Sequence, residues 1–231
     1  MTRSQINALI RGAEAFFAEH RFLLPPFARW TPEDWRERGP EADEVRERRL
    51  GWDVTDFGSG DFDRTGLLLV TIRNGDPRSP NAARSYAEKI MVVGESQVTP
   101  WHFHWSKSED IVNRGGGNLV VEVAWATDDE ARLADREVAL SCDGVARTVA
   151  SRGRIVLEPG ESVTLVPRVY HTFYGEPGRG KVLVGEVSRS NDDTADNRFL
   201  EPLGRFPRIV EDEAPYRLLC HEYPPAVPPP G

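Results

Sequence analysis

Residues 101–117, WHFHWSKSEDIVNRGGG, constrain this chain more than any other stretch. His102 and His104 stand two apart, and a β-strand sends alternate residues to opposite faces. Both imidazoles therefore leave one side, while Trp101, Phe103 and Trp105 take the other, as packing on a sheet or core requires. Glu109 follows as a hard anionic oxygen donor, and His171, in PRVYHTFYG, offers a third imidazole. Neutral imidazoles with a carboxylate suit a divalent metal such as manganese, iron, cobalt or zinc. Beyond Arg114, the run Gly115-Gly116-Gly117 requires a sharp turn, because glycine alone takes positive φ without strain.

The spacing HxH, four residues, Glu, six residues, Gly, with a distant PxxxH, resembles the two metal motifs of the cupin superfamily. An HxH pair alone is a weak signal, since a histidine is usually a satisfied polar residue or a surface group. Three of the chain's five histidines at these spacings, together with Glu109, favour a metal site.

At 231 residues the chain is long enough to bury a substantial core, and β-barrels of this length are often single domains. A net charge of −8 argues against a general nucleic-acid or anionic-membrane binder, both of which want a basic surface. No run approaches the ~18 apolar residues of a membrane span. Arg11 and Glu14 interrupt any signal-peptide core near the N-terminus. Cys142 and Cys220 have no metal-ligand spacing and read as free thiols of a reducing compartment, so a cytoplasmic protein is expected.

Ile6, Leu9, Ile10, Ala13, Phe16 and Phe17 follow the spacing of an amphipathic helix, with Ser4 as its cap and Pro25-Pro26 as its end. Thr31-Pro32-Glu33-Asp34 reads as a second helix start, and residues 41–49 as a third helix closed by Gly51. From about residue 52 short β-rich runs alternate with turn residues, as an all-β barrel requires. The expected strands are 67–73, 86–93, 97–105, 119–125, 136–142, 145–150, 154–157, 162–166, 171–174 and 181–188. Asp143-Gly144 signals a two-residue hairpin. The tail, PPAVPPPG (224–231), is too proline-rich for a packed element.

In the strand 181–188, Val182, Val184, Glu186 and Ser188 share a face. An inward Glu186 needs a metal, a lysine or a substrate hydroxyl to offset its burial, and Lys89 is the best cationic partner. A surface ion pair across a sheet explains the same residues equally well. The segment 188–197, SRSNDDTADN, suits either a polyol-binding surface or a solvated loop. Arg114, Asp192 and Asp193 are read as substrate contacts.

Beyond the cupin spacings, the chain resembles the bacterial D-lyxose isomerase family. The resemblance rests on LPPFA (24–28), LGWDVTDFG (50–58), IRNG (72–75), YAEKIM (86–91), the stretch 98–122, VPRVYHTFYGEPG (166–178), the stretch 182–200 and LLCHEY (218–223). It implies a single cupin (double-stranded β-helix, jelly-roll) domain over 1–231, with a helical extension over 1–50. It places metal ligands on His102, His104, Glu109 and His171, and acid/base residues on Lys89 and Glu186. It further implies a homodimeric ketol-isomerase of free pentoses or hexoses, D-lyxose with D-xylulose and D-mannose with D-fructose. Mn²⁺ is the expected ion, with Co²⁺, Fe²⁺ or Zn²⁺ as alternatives. Proton transfer through an enediol and a metal-assisted hydride shift both fit these residues. The rival readings are a non-haem-iron oxygenase, since two histidines and a carboxylate also form its triad, and a metal-containing cupin that binds sugars without turnover.

Overall fold

Alternating burial sorts the strands into two antiparallel sheets in a computed structural model that describes residues 1–76, 84–205 and 208–227. The larger sheet holds β1 (Gly51–Thr55), β2 (Leu67–Arg73), β3 (Tyr86–Val93), β5 (Glu109–Gly116), β7 (Val138–Cys142), β8 (Val145–Val149), β10 (Ser162–Leu165) and β12 (Val182–Arg189). Its order is β1-β2-β3-β12-β5-β10-β7-β8. The smaller sheet holds β4 (Thr99–Phe103), β6 (Leu119–Trp125), β9 (Gly153–Leu157), β11 (Val169–Gly175) and β13 (Arg198–Phe199), in the order β13-β4-β11-β6-β9. Leu69, Met91 and Val184 from the larger sheet join Val121, Val123 and Phe173 from the smaller in one buried core. Each such side chain contributes about 1.5–3 kcal/mol when fully buried.

The outer face of the larger sheet is covered by helix α1 (Arg3–Glu19), whose Ile6, Ile10, Ala13 and Phe17 pack against Trp52, Val70 and Ile90. Leu9 and Phe16 of the same stripe are only half-buried. β3 is thus apolar on both faces along most of its length, and only Lys89 breaks its inner row. Thr2, not Ser4, caps α1: its hydroxyl accepts from Gln5 N while Gln5 Oε1 accepts from Thr2 N, a reciprocal box that Ser4 cannot form. The helix also stops before the prolines, where Arg21 takes φ 56°.

Helix α2 (Pro32–Arg36) starts as expected, with Thr31 as cap and Pro32 at the first position. The third helix is shorter than expected. A 3₁₀ turn at Pro40–Ala42 precedes α3 (Asp43–Glu47), Arg49 takes the left-handed position, and Gly51 opens β1. The hairpin at Asp143-Gly144 joins β7 to β8 with both residues at positive φ (51° and 81°), the geometry of a type I′ turn. Residues 109–116 form a full strand, and the glycine run turns only at its end. Gly116 has φ 85°, and a Cβ there would lie 2.3 Å from the Lys181 carbonyl oxygen. The start of the tail is fastened, since Arg46 Nε donates to Pro224 O and Val227 N to Arg38 O. Residues 228–231 lie outside the described residues. Among the described residues, no helix is long and apolar enough to cross a membrane.

Candidate active site

Strand register brings the histidines together. His102 on β4 pairs directly with His171 on β11, and their rings lie 4.2 Å apart. His104 follows just past the end of β4, and its carbonyl is fixed by Arg168 N. One ligand atom from each of the three imidazoles lies within 4.8 Å of the others. Glu109, the first residue of β5, reaches across from the larger sheet, its Oε1 lying 3.1 Å from His171 Nε2 and 3.3 Å from His104 Nε2.

The protons on these rings follow from their partners. His102 Nδ1 meets Pro100 O at 2.8 Å, His104 Nδ1 meets Asp196 O at 2.7 Å, and His171 Nδ1 meets Val169 O at 3.1 Å. A carbonyl only accepts, so each Nδ1 carries the hydrogen and each Nε2 keeps its lone pair. Burial first, then the other two imidazoles, hold His102 well below its usual pKa and therefore neutral. His104 Nε2, His171 Nε2 and Glu109 Oε1 are buried without a hydrogen-bond donor between them. Three acceptors facing one another with no proton to share suit a divalent cation, and the residues present fit one.

Glu186 stands beside this cluster on the inner face of β12, in the same cavity of about 460 Å³ (its open mouth included). Its Oε1 accepts from Lys107 Nζ at 2.9 Å and from Ser188 Oγ at 2.9 Å, and lies 3.4 Å from Lys89 Nζ. Lys89 is only 4% exposed and also donates to Asp193 at 2.9 Å. The pair is therefore buried and is not a surface bridge. Glu88 faces the other way, toward Arg73 at 3.2 Å. Lys107 also reaches Glu109 Oε2 at 2.5 Å, so one ammonium links Glu109 to Glu186. Burial opposes the Lys107 charge, yet Glu109, Glu186 and Asp193 together raise its pKa. Burial likewise opposes the Glu109 charge, but the Lys107 ammonium holds its pKa well below the carboxylate range.

The three residues expected to contact substrate divide between this cavity and its surroundings. Asp193 lines the cavity. Asp192 is exposed, its carboxylate accepts from Thr194, and it borders a neighbouring cavity. Arg114 is exposed on β5, lies against Gly185 and does not line this cavity, because its parity is opposite to that of Glu109. Trp105 does not pack inward with Phe103; it is 42% exposed and its indole N–H donates to Glu130. Lys107, Phe199 and Arg205 line the cavity without having been singled out from the sequence. Lys107 had a signal: it stands two residues before Glu109, the parity that shares its face. Asp196 is a further contributor. Its carboxylate accepts from the backbone N–H groups of Trp105, Ser106 and Lys107 and from Ser106 Oγ, while its carbonyl takes the His104 proton.

Two facing antiparallel sheets with three imidazoles and a carboxylate buried between them define a cupin whose site can hold a metal ion. The sequence profile of the family described as D-lyxose isomerase matches residues 1–223. The chain belongs to that family. A D-lyxose/D-mannose isomerase of Serratia proteamaculans is 52% identical over 224 residues, covering 96% of this chain and 98% of that protein. The D-lyxose/D-mannose isomerase of Escherichia coli O157:H7 is 47% identical with the same coverage. Among solved structures, an Acinetobacter sp. DL28 L-ribose isomerase in complex with L-ribose superposes with a TM-score of 0.61 at 15% identity, covering 91% of this chain and 98% of that one. At such identity the likeness shows a shared fold alone.

Proposed function

We propose that this chain is an aldose–ketose isomerase interconverting D-lyxose with D-xylulose and D-mannose with D-fructose. The observation that carries the reading is Glu186, a buried carboxylate in one cavity with the three-histidine cluster and fixed through a single oxygen. His102, His104, His171 and Glu109 hold a divalent cation, which we take to be Mn²⁺. When bound, such an ion would act as a Lewis acid on the sugar's oxygens and so would acidify the carbon-bound proton. Glu186 takes the proton from C2 of the aldose and returns it to C1, through the oxygen that Lys107, Lys89 and Ser188 leave free. Lys89, adjacent to Glu186, donates to the oxygen on which charge develops and serves the accompanying proton exchange between O2 and O1.

The substrate is an unphosphorylated sugar. Lys89, Lys107 and Arg205, the cations lining the cavity, are each already bound to carboxylates: Lys89 to Asp193, Lys107 to Glu109 and Glu186, and Arg205 to Asp53 at 2.5 Å. We further read residues 1–231 as one catalytic unit that works as a cytoplasmic homodimer. Metal-reconstituted protein assayed by NMR against a panel of aldoses in D₂O tests the proposal. Turnover of lyxose and mannose with solvent deuterium in the product is expected. Full retention of the original hydrogen favours a hydride shift, and sugar binding without turnover, or oxygen consumption, overturns the isomerase reading.

A further inference from the structure

Behind Glu186 runs a chain of hydrogen bonds whose direction is fixed from its far end. Asn74 Nδ2 donates to Asn191 O at 2.8 Å, and Asn191 N donates back to Asn74 Oδ1 at 3.2 Å, so the Asn74 side chain brackets the Asn191 backbone as a paired strand would. The Asn191 amide meets the Arg189 carbonyl at 3.0 Å. That carbonyl only accepts, so the amide nitrogen and not its oxygen must face it. The same Nδ2 lies 3.3 Å from Ser188 Oγ and donates to it. The Ser188 hydroxyl has its own hydrogen left, and this points to Glu186 Oε1 at 2.9 Å. Ser188 and Asn191 are 6% and 4% exposed, so water does not compete for these bonds.

From this relay we infer that Ser188, oriented by Asn191, is a positioning residue that dedicates Glu186 Oε1 to accepting hydrogen bonds and leaves Oε2 as the oxygen that carries the substrate proton. The inference rests on the acid–base role proposed for Glu186. Lys89 and Lys107 also bind Oε1, but both have other carboxylates to balance, Asp193 and Glu109. Ser188 is the neutral donor of the three, and its removal leaves every ion pair of the site in place. A carboxylate that loses this donor is held at Oε1 by the two ammonium groups alone and turns more readily about its terminal bond, so the reactive oxygen spends less time facing the sugar.

Steady-state kinetics on Ser188→Ala, Ser188→Thr and Asn191→Ala, with bound metal and Tm measured on each, test this. Ser188→Ala lowers kcat about tenfold to a hundredfold, the worth of one hydrogen bond to a charged group, with KM and metal content unchanged. Ser188→Thr, which keeps the hydroxyl, restores most of that loss. Asn191→Ala lowers kcat alone but adds nothing to Ser188→Ala, because it acts through the hydroxyl. Should Ser188→Ala not accumulate as folded protein, the same kcat-against-KM split is required of Asn191→Ala. A Ser188→Ala enzyme with normal kcat, or an Asn191→Ala cost that persists in full in the double variant, overturns the inference. Glu186→Gln separates the two levels. Near-normal turnover there removes the acid–base reading and this inference with it, whereas an inactive Glu186→Gln beside an unimpaired Ser188→Ala removes the inference alone.

Discussion

Lys107 sits between Glu109 and Glu186 with only 3% of its surface exposed, so its charge is what lets two carboxylates share a dry site. Removing one partner of a buried ionic group leaves the others uncompensated, at a cost of about 3–5 kcal/mol. Lys107→Met is therefore expected to lose about that much stability in metal-free protein, and less in metal-loaded protein, where the cation offsets Glu109. Denaturant melts with and without Mn²⁺ measure the difference, and equal losses in the two states would contradict this account. Glu186→Gln keeps the volume of the side chain but not its basic oxygen. A fall in kcat of about 10²–10⁴ with metal content intact is expected, and a parallel loss of bound manganese would instead make Glu186 a ligand. The clustering of the histidines was legible in the sequence because His102 and His104 carry their geometry in their parity. The hub at Lys107 was not, since its role depends on β12 lying beside β5, a pairing between residues far apart in the chain.

At the scale of elements, α1 covers the face of the larger sheet remote from the site. Phe17 is 1% exposed and stacks on Trp52 at 6.1 Å. Phe17→Ala should cost about 3–5 kcal/mol in urea denaturation while kcat per folded molecule and bound metal stay unchanged. A variant that loses its metal as well would show that the helix reaches through the sheet to the cluster. The stripe over Ile6, Ile10, Ala13 and Phe17 was readable because a helix repeats every 3.6 residues over several turns. The strand at 109–116 was harder to read. Its glycines announced a turn, whereas its pairing with β12 carries the strand through a bulge at Arg114 as far as Gly116. β1, five residues long and buried throughout, carries no alternation for a reader to find.

For the whole molecule, the metal and the fold are linked through protons. Chelation should abolish activity and Mn²⁺ should restore it best, and full activity in protein shown metal-free by elemental analysis would refute the dependence. In metal-free protein the pKa values of His102 and Glu109 are both depressed by folding. The unfolded chain therefore binds more protons below the ordinary values of 6.5 and 4.5, and stability falls with pH in each window. Scanning calorimetry on chelated protein should show Tm declining from about pH 6.5 as His102 becomes costly to keep neutral, and more steeply below about pH 4.5 as Glu109 does. A Tm that is flat between pH 7.5 and 5.5 would remove His102 from that balance.

Asp196 gives this link a mechanical side. The segment that contributes Asp193 and Phe199 to the cavity wall is the one whose Asp196 carbonyl holds the His104 proton and whose carboxylate gathers the three N–H groups after it. Cavity wall and imidazole are thus hinged together. Displacing that segment would release His104 to turn or to exchange its tautomer, so the wall cannot loosen without loosening the three-histidine cluster. On the function proposed above, room for a sugar and the hold on a metal would then be one adjustable quantity.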